Sequence, residues 1–258
     1  MVRDGVEVPR VLEKCAEAIE LYGLESKGIY RLSGTTSRVQ RLKAALDYGA
    51  SVFHRALSLS FDREWADSCG APDTEAVDLL SEENLSDIND IAAVLKLWFR
   101  ELPEPLLTWE LYHAFIDAAS GCLSLTCPET VLFALGLSRF AGAEIDNDRL
   151  RHIRLHERIN ELPDPNYATL KFLMGHLDKV AQHESVNQMS RSNLAIVFGP
   201  NLLGAPPPQL AHLYPGPVAD GTPQSGGGGG GGGGLQDMQW QCKCIETILL
   251  HFVEIFVE

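Results

Sequence analysis

The sequence predicts an all-α fold, and three observations carry that prediction. Apolar residues recur at three- and four-residue steps in one segment after another. Proline, glycine, serine and threonine stand at the ends of those segments, where helices start and stop. No convincing pair of alternating strand patterns is visible anywhere in the chain.

The first predicted helix is Val8 to Tyr22, with Val11, Leu12, Cys15, Ala18, Ile19 and Tyr22 on its apolar face. Pro9 suits its first turn and Gly23 is placed to end it. Thr35, Thr36 and Ser37 offer N-caps for a second helix that buries Val39, Leu42 and Leu46. About Tyr48 to Ala71 there is no clean period, and Asp73 to Leu85 is acidic and irregular. Ser86 is placed to cap a strongly patterned helix to Glu101, whose stripe is Ile88, Ile91, Leu95, Trp98, Phe99 and Leu102. Pro103 and Pro105 stop it, since proline lacks a donor and restricts its predecessor. Thr108 is expected to cap the next helix, through Leu111, Phe115 and Ile116.

Ala118 to Ala143 is rich in small residues and nearly uncharged, and patterning resumes at Asp146. Leu150, Ile153, Leu155, Ile159 and Leu162 mark a helix ended by Pro163. Asp164 and Pro165 open another, with Tyr167, Leu170, Leu173, Met174, Leu177 and Val180 inward. Ser190 is placed to cap a helix from Asn193 to Phe198, and Asn201 is expected to end it. The stretch from about 205 to 234 closes with nine consecutive glycines and reads as a floppy connector. A last amphipathic helix from about Leu235 to Val257 needs the main core to bury it. The connector is therefore a loop inside one domain, residues 1–258, with irregular insertions at about 48–71 and 120–143.

Composition narrows the function. An apolar content of 45% supports a substantial core. A net charge of −14 and a pI near 5.0 argue against a broad nucleic-acid or anionic-membrane surface. No signal peptide and no apolar run of transmembrane length is present, so a cytoplasmic protein with reduced thiols is expected, without direct membrane insertion. Cys15 falls on an apolar helix face, and Cys242 and Cys244 diverge on theirs. The chain has no paired CxxC knuckles and no HExxH, so neither a metal site nor a cofactor is expected. No Ser/His/Asp or Cys/His set is apparent and the eight histidines scatter across helix faces, so a hydrolase in its own right is not expected.

The run Gly28-Ile29-Tyr30-Arg31-Leu32-Ser33-Gly34 brackets an arginine between two glycines. Glycine permits sharp turns. Ile29 and Leu32 are expected to pin such a loop to a core while Arg31 projects, presenting a planar charged fork suited to phosphate or carboxylate. The plainer reading is a surface loop with an ion-paired arginine. Lys96 and Arg100 share a helix face offset from the apolar stripe. Alone they read as a solvated basic stripe, within reach of Glu101 and Glu104.

Four separated pieces, in order, resemble the RhoGAP type of GTPase-activating domain. They are Gly28 to Gly34; Leu95-Lys96-Leu97-Trp98-Phe99-Arg100-Glu101-Leu102-Pro103-Glu104-Pro105-Leu106-Leu107; Leu162 to Tyr167; and Ser192-Asn193-Leu194-Ala195-Ile196-Val197-Phe198-Gly199-Pro200-Asn201-Leu202-Leu203. The run beginning at Gly28 is similar to that of RhoGAPs joined to membrane-curving F-BAR modules in fungi. The likeness implies a single all-helical bundle that binds a Rho-, Rac- or Cdc42-type small GTPase in its GTP-bound state. It implies that Arg31 is an arginine finger and that Lys96 and Arg100 are a basic pair holding the loop and contacting the partner. Asn193 corresponds to a polar group aimed at the partner; a helix-start hydrogen bond explains it as well. Arg38, Arg41 and Lys43 either rim that interface or form a solvated helix face. The stretches 48–71 and 120–143 depart from the family pattern and read as recent insertions or retained intron translation. The last helix lacks the asparagine or proline that the family would place near Cys242, so no partner contact is expected there. The alternative is a catalytically weak or inactive scaffold of the same fold that binds a GTPase or another signalling partner, and an arginine at position 31 favours the activator.

Overall fold

The computed structural model describes residues 8–50, 87–120, 147–214 and 233–257. Every regular element among these residues is helical. In chain order they are α1 (Arg10–Tyr22), α2 (Thr36–Ala50), α3 (Ile88–Arg100), α4 (Tyr112–Ser120) and α5 (Asn147–Asn160). There follow α6 (Asp164–Gln182), the short α7 (Glu184–Asn187), α8 (Arg191–Leu202), α9 (Gly233–Leu250) and α10 (Phe252–Phe256). No helix among the described residues is long and apolar enough to cross a membrane.

The apolar stripes read from the sequence become one core. Leu12, Cys15, Ala18 and Ile19 of α1 are buried, as are Ile91, Leu95 and Phe99 of α3 and Leu170, Leu173, Met174 and Leu177 of α6. Burying one such leucine or isoleucine stabilises the fold by about 1.5–3 kcal/mol. Burial also pushes the Cys15 thiol up to about 12. Tyr22 departs from expectation and is exposed at the end of α1, where the chain turns away at Gly23. α3 packs against α1, α2 and α8, and α9 packs against α8, α4 and α5. Gly199 allows α8 and α9 to approach closely. A Cβ there would lie 2.9 Å from the backbone nitrogen of Cys242 on α9. Arg151, a buried residue of α5, reaches α4, where its Nε donates to the Ala119 carbonyl at 2.7 Å, and its fork pairs with Asp148. A cation at the C-terminal end of α4 also complements that helix's dipole.

Several boundaries differ from the sequence reading. The cap of α3 is Asp87, not Ser86: Asp87 is extended and its Oδ1 accepts from the Asn89 amide at 2.9 Å. Ser86 lies outside the described residues. Thr108 takes a left-handed turn (φ 59°) and its Oγ1 accepts from the Leu111 amide at 3.4 Å, the expected capping contact, but α4 starts only at Tyr112. α8 continues through Gly199-Pro200-Asn201, so Asn201 does not end it. Pro200 removes one helical donor, and the Asn201 side-chain amide donates to the Val197 carbonyl at 2.6 Å. The last helix breaks at His251 (φ −109°, ψ 27°) into α9 and α10. α10 then lays Phe256 against Tyr167, with ring centroids 5.6 Å apart.

The first three residues of the 48–71 stretch belong to α2, and Ser120 closes α4. The remainder of both expected insertions lies outside the described residues, as does the 215–232 part of the connector. Its described start is ordered by turns, with Leu210 donating to Pro207 at 2.8 Å and Leu213 to Leu210 at 2.9 Å. Its last two glycines, Gly233 and Gly234, open α9.

Candidate functional site

The Gly28–Gly34 loop is more tightly held than two apolar pins would make it. Gly28 sits at φ +71°, a conformation glycine reaches without strain, and its amide donates to the Asn187 carbonyl at 2.8 Å. Ile29 and Tyr30 are fully buried, whereas Leu32 is 47% exposed. The second pin is therefore Tyr30 and not Leu32. Gly34 is needed for close approach: a Cβ there would meet Asp90 Oδ1 at 2.5 Å. Buried Asp90 instead accepts from the Thr35 amide at 2.6 Å and pairs with Arg38 at 3.5 Å, tying the loop's exit to α3.

Tyr30 carries the geometry. It is in the left-handed region at φ 68°, which costs an L-residue roughly 1–2 kcal/mol. Three contacts hold it there. Its ring meets Phe198 edge-on with centroids 5.0 Å apart. Its hydroxyl donates to His176 Nε2 at 2.6 Å. Its carbonyl accepts from Lys96 Nζ. The tautomer of His176 follows from its other neighbour: Nδ1 is 2.9 Å from Glu20 Oε1, and Glu20 also accepts from Lys179 at 2.7 Å. The bond from His176, with that from Lys179, pulls the Glu20 carboxyl down to about 2. An ionised carboxylate only accepts, so His176 Nδ1–H donates to it and leaves Nε2 to accept from Tyr30. Burial pushes the Tyr30 phenol well above its ordinary range, which keeps it a donor. His176 is thus buried between helices and not scattered on a face.

With its neighbours fixed, Arg31 is exposed. It lines an open cleft of about 390 Å³ with Lys96, Arg100, Gln40, Val197 and Asn201. The structure therefore brings Arg31, Lys96 and Arg100 to one place. Lys96 is half-buried; burial first, and the nearby Arg100 charge second, lower its ammonium below the usual range. Neither acid expected to neutralise this basic pair does so. Glu101 pairs with Lys43 at 3.1 Å, and Glu104 Oε1 accepts from the Trp109 amide at 2.8 Å. Among the described residues, Arg31 and Arg100 make no ion pair. Arg38 and Lys43, by contrast, are spent on tying α2 to α3.

Asn193 does not line the cleft. Its backbone amide donates to the Ser190 cap at 3.1 Å, and its side-chain amide donates to the Gln188 carbonyl at 3.1 Å. That is the helix-start bond. Asn187, which sequence reading passed over, does more for the loop. Fully buried, it donates to the Leu24 carbonyl at 2.8 Å and the Val180 carbonyl at 2.9 Å, and accepts from Met189 at 2.8 Å. Its own carbonyl receives Gly28. A polar residue just before a capping Ser190 was the available signal, but its partners are 163 and seven positions away.

Comparison with known proteins agrees with this architecture. Residues 9–207 match the RhoGAP domain family. The chain is 36% identical over 206 residues to the GTPase-activating protein CdGAPr of Drosophila melanogaster, covering 80% of this chain and 9% of that protein. It is 38% identical over 199 residues to Rho GTPase-activating protein 31 of Homo sapiens, covering 77% of this chain and 10% of that one. The chain thus spans about a tenth of the length of these two relatives. Among solved structures, human Rho GTPase activating protein 15 aligns with a TM-score of 0.62 at 25% identity, over 96% of this chain and 84% of that one. The BH domain of GRAF, the GTPase regulator associated with focal adhesion kinase, shares the fold. Its TM-score is 0.58 at 24% identity, over 96% of this chain and 93% of that one. Since the match spans most of the helical body and includes the arginine-bearing loop, the chain belongs to the RhoGAP domain family.

Proposed function

We propose that this domain stimulates GTP hydrolysis by a Rho-family small GTPase, inserting Arg31 in trans beside the phosphates of the bound nucleotide. The observation that carries this reading is the contrast within one loop: Ile29 and Tyr30 are fully buried while Arg31 stands exposed, unpaired among the described residues, in a basic cleft. Hydrolysis spreads negative charge over the transferred phosphoryl group and the leaving oxygen. A guanidinium already held in position stabilises that charge without reorganising. An arginine supplied this way contributes ~10³–10⁵ in rate, or roughly 4–7 kcal/mol of transition-state stabilisation. Water, magnesium and nucleotide belong to the partner, so the domain is an activator and brings no hydrolytic site or cofactor of its own.

The supporting roles follow from the contacts. Lys96 clamps the loop through the Tyr30 carbonyl. Arg100, on the same helix face and without an ion pair among the described residues, is assigned to the GTPase's switch surface. Asn193 is assigned a partner contact through its carbonyl oxygen, its amide being committed to Gln188. Exposed Leu32 and Ile196 offer apolar contact nearby. The choice among Rho, Rac and Cdc42 types rests on rim contacts worth about 1 kcal/mol each. The proposed place of action is the cytoplasm, on GTP-loaded partners.

Single-turnover GTP hydrolysis by a panel of Rho-family GTPases tests the proposal. The chain is expected to accelerate at least one of them. Arg31→Ala is expected to lose ~10³-fold or more of that acceleration while still binding the GTP-loaded partner. Arg31→Lys is not expected to restore it, because an ammonium lacks the planar fork. Binding without acceleration by the unmutated chain would make it a scaffold instead.

A further inference from the structure

Three side chains that the proposed function leaves unused meet where α5, α9 and α10 join. His152 stands in α5, His251 occupies the break between α9 and α10, and Glu254 lies in α10. The two imidazoles stack with planes 12° apart and centroids 4.2 Å apart. Glu254 Oε2 is 2.7 Å from His251 Nδ1 and 3.4 Å from His152 Nε2. One donor atom from each of the three residues lies within 4.8 Å of the others.

The two separations from Glu254 suit a tetrahedral ion, and because the lone pairs of stacked rings run parallel, one imidazole turns out of the stack to share it. Bonds of ~2.0–2.1 Å to nitrogen and oxygen place neighbouring donors roughly 3.3 Å apart, between the two distances observed. Two imidazoles with one carboxylate form the donor set of a first-row transition ion, and zinc is the redox-inert member of that group. Calcium and magnesium prefer all-oxygen shells. The backbone also fixes where two of the three side chains start. The His251 amide donates to the Thr247 carbonyl at 3.1 Å, and the His251 carbonyl accepts from Ile255 at 3.0 Å. His251 and Glu254 are thereby fixed on one turn. His152 is mostly buried with its side chain 17% exposed, whereas Glu254 is 51% exposed and leaves a solvent-facing side open.

We propose that His152 Nε2, His251 Nδ1 and a Glu254 carboxylate oxygen form a zinc(II) site, with water as the fourth ligand, that staples the C-terminal turn to α5. Binding releases the proton that His251 shares with Glu254. The site is independent of the cleft at Arg31, and its success or failure says nothing about GTPase activation.

Zinc chloride titrated into the metal-stripped chain by isothermal titration calorimetry tests it. Saturable binding at one ion per chain is expected, together with a zinc-dependent rise in Tm. Losing even an outer partner of a metal ligand costs roughly 10–100-fold in affinity, so His251→Ala and Glu254→Gln are each expected to weaken binding by at least about tenfold. Glu254 is half exposed, so Glu254→Gln keeps the fold, and circular dichroism matching the parent verifies this. The proposal is overturned if the parent binds no zinc. It is also overturned if folded Glu254→Gln binds zinc as tightly as the parent, which would place the ion elsewhere, for instance on a cysteine.

Discussion

At the scale of the residue, Tyr30 decides where Arg31 can be. A left-handed backbone at a bulky residue persists only when its surroundings over-determine it, and here a ring contact, a hydroxyl bond and a carbonyl clamp do so. Tyr30→Phe keeps the ring and removes the hydroxyl, leaving buried His176 Nε2 without a partner while Nδ1 keeps Glu20. We expect a loss of about 1–3 kcal/mol in urea unfolding. GTPase acceleration should fall while binding to the GTP-loaded partner changes little, because the loop is loosened and not removed. Equal acceleration by Tyr30→Phe and parent would show that the hydroxyl does not position the finger. Arg31, Lys96 and Arg100 were legible as residues because charge on a glycine-bracketed loop and on one helix face is a local pattern. Tyr30 was passed over as a pin because alternation assigns the wrong partner to Ile29 when the backbone turns left-handed. Asp90 and Asn187 were invisible because what each one satisfies lies far away in sequence or in a loop's backbone.

At the scale of the element, α1 and α6 are joined across the buried edge of the loop by Glu20, His176 and Lys179. The Glu20 carboxyl is depressed from 4.5 to about 2, chiefly by the bond from His176. A depressed carboxylate contributes stability that is whole above its unfolded value and is lost as the pH falls through its folded one. The stability difference between parent and Glu20→Gln should therefore be full above about pH 4.5 and shrink as the pH falls toward about 2. Chemical denaturation of both proteins across that window measures it, and a constant gap would remove Glu20 from this role. The helices themselves were largely legible: the Ser190 cap, the Gly23 stop and the stripes of α1, α3 and α6 stand where periodicity puts them. Ends set by competing local bonds were not. Asp87 displaces Ser86 as cap, α8 runs past Pro200 to Leu202, and His251 breaks the last helix.

At the scale of the whole molecule, the bundle closes where α8 meets α9 across Gly199. That contact draws a segment beyond the glycine-rich connector onto the core. Gly199→Ala would press a Cβ against the Cys242 backbone, which cannot move aside like a side-chain tip. We expect about 1–3 kcal/mol of destabilisation, read as a lower Tm, and an unchanged Tm would show that the two helices can part at little cost. The sequence alone determined the all-α class, the order of the principal helices and the family, because apolar period, helix stops and short motifs are properties of neighbouring residues. Only the tertiary structure decided that Tyr30 is held by His176 from 146 positions away, that Glu101 and Glu104 are spent elsewhere and leave the cleft basic, and that His152 meets His251. Those are pairings between distant segments. They exist only after the entropy of ordering the chain has been overcome by the core, so no local pattern records them.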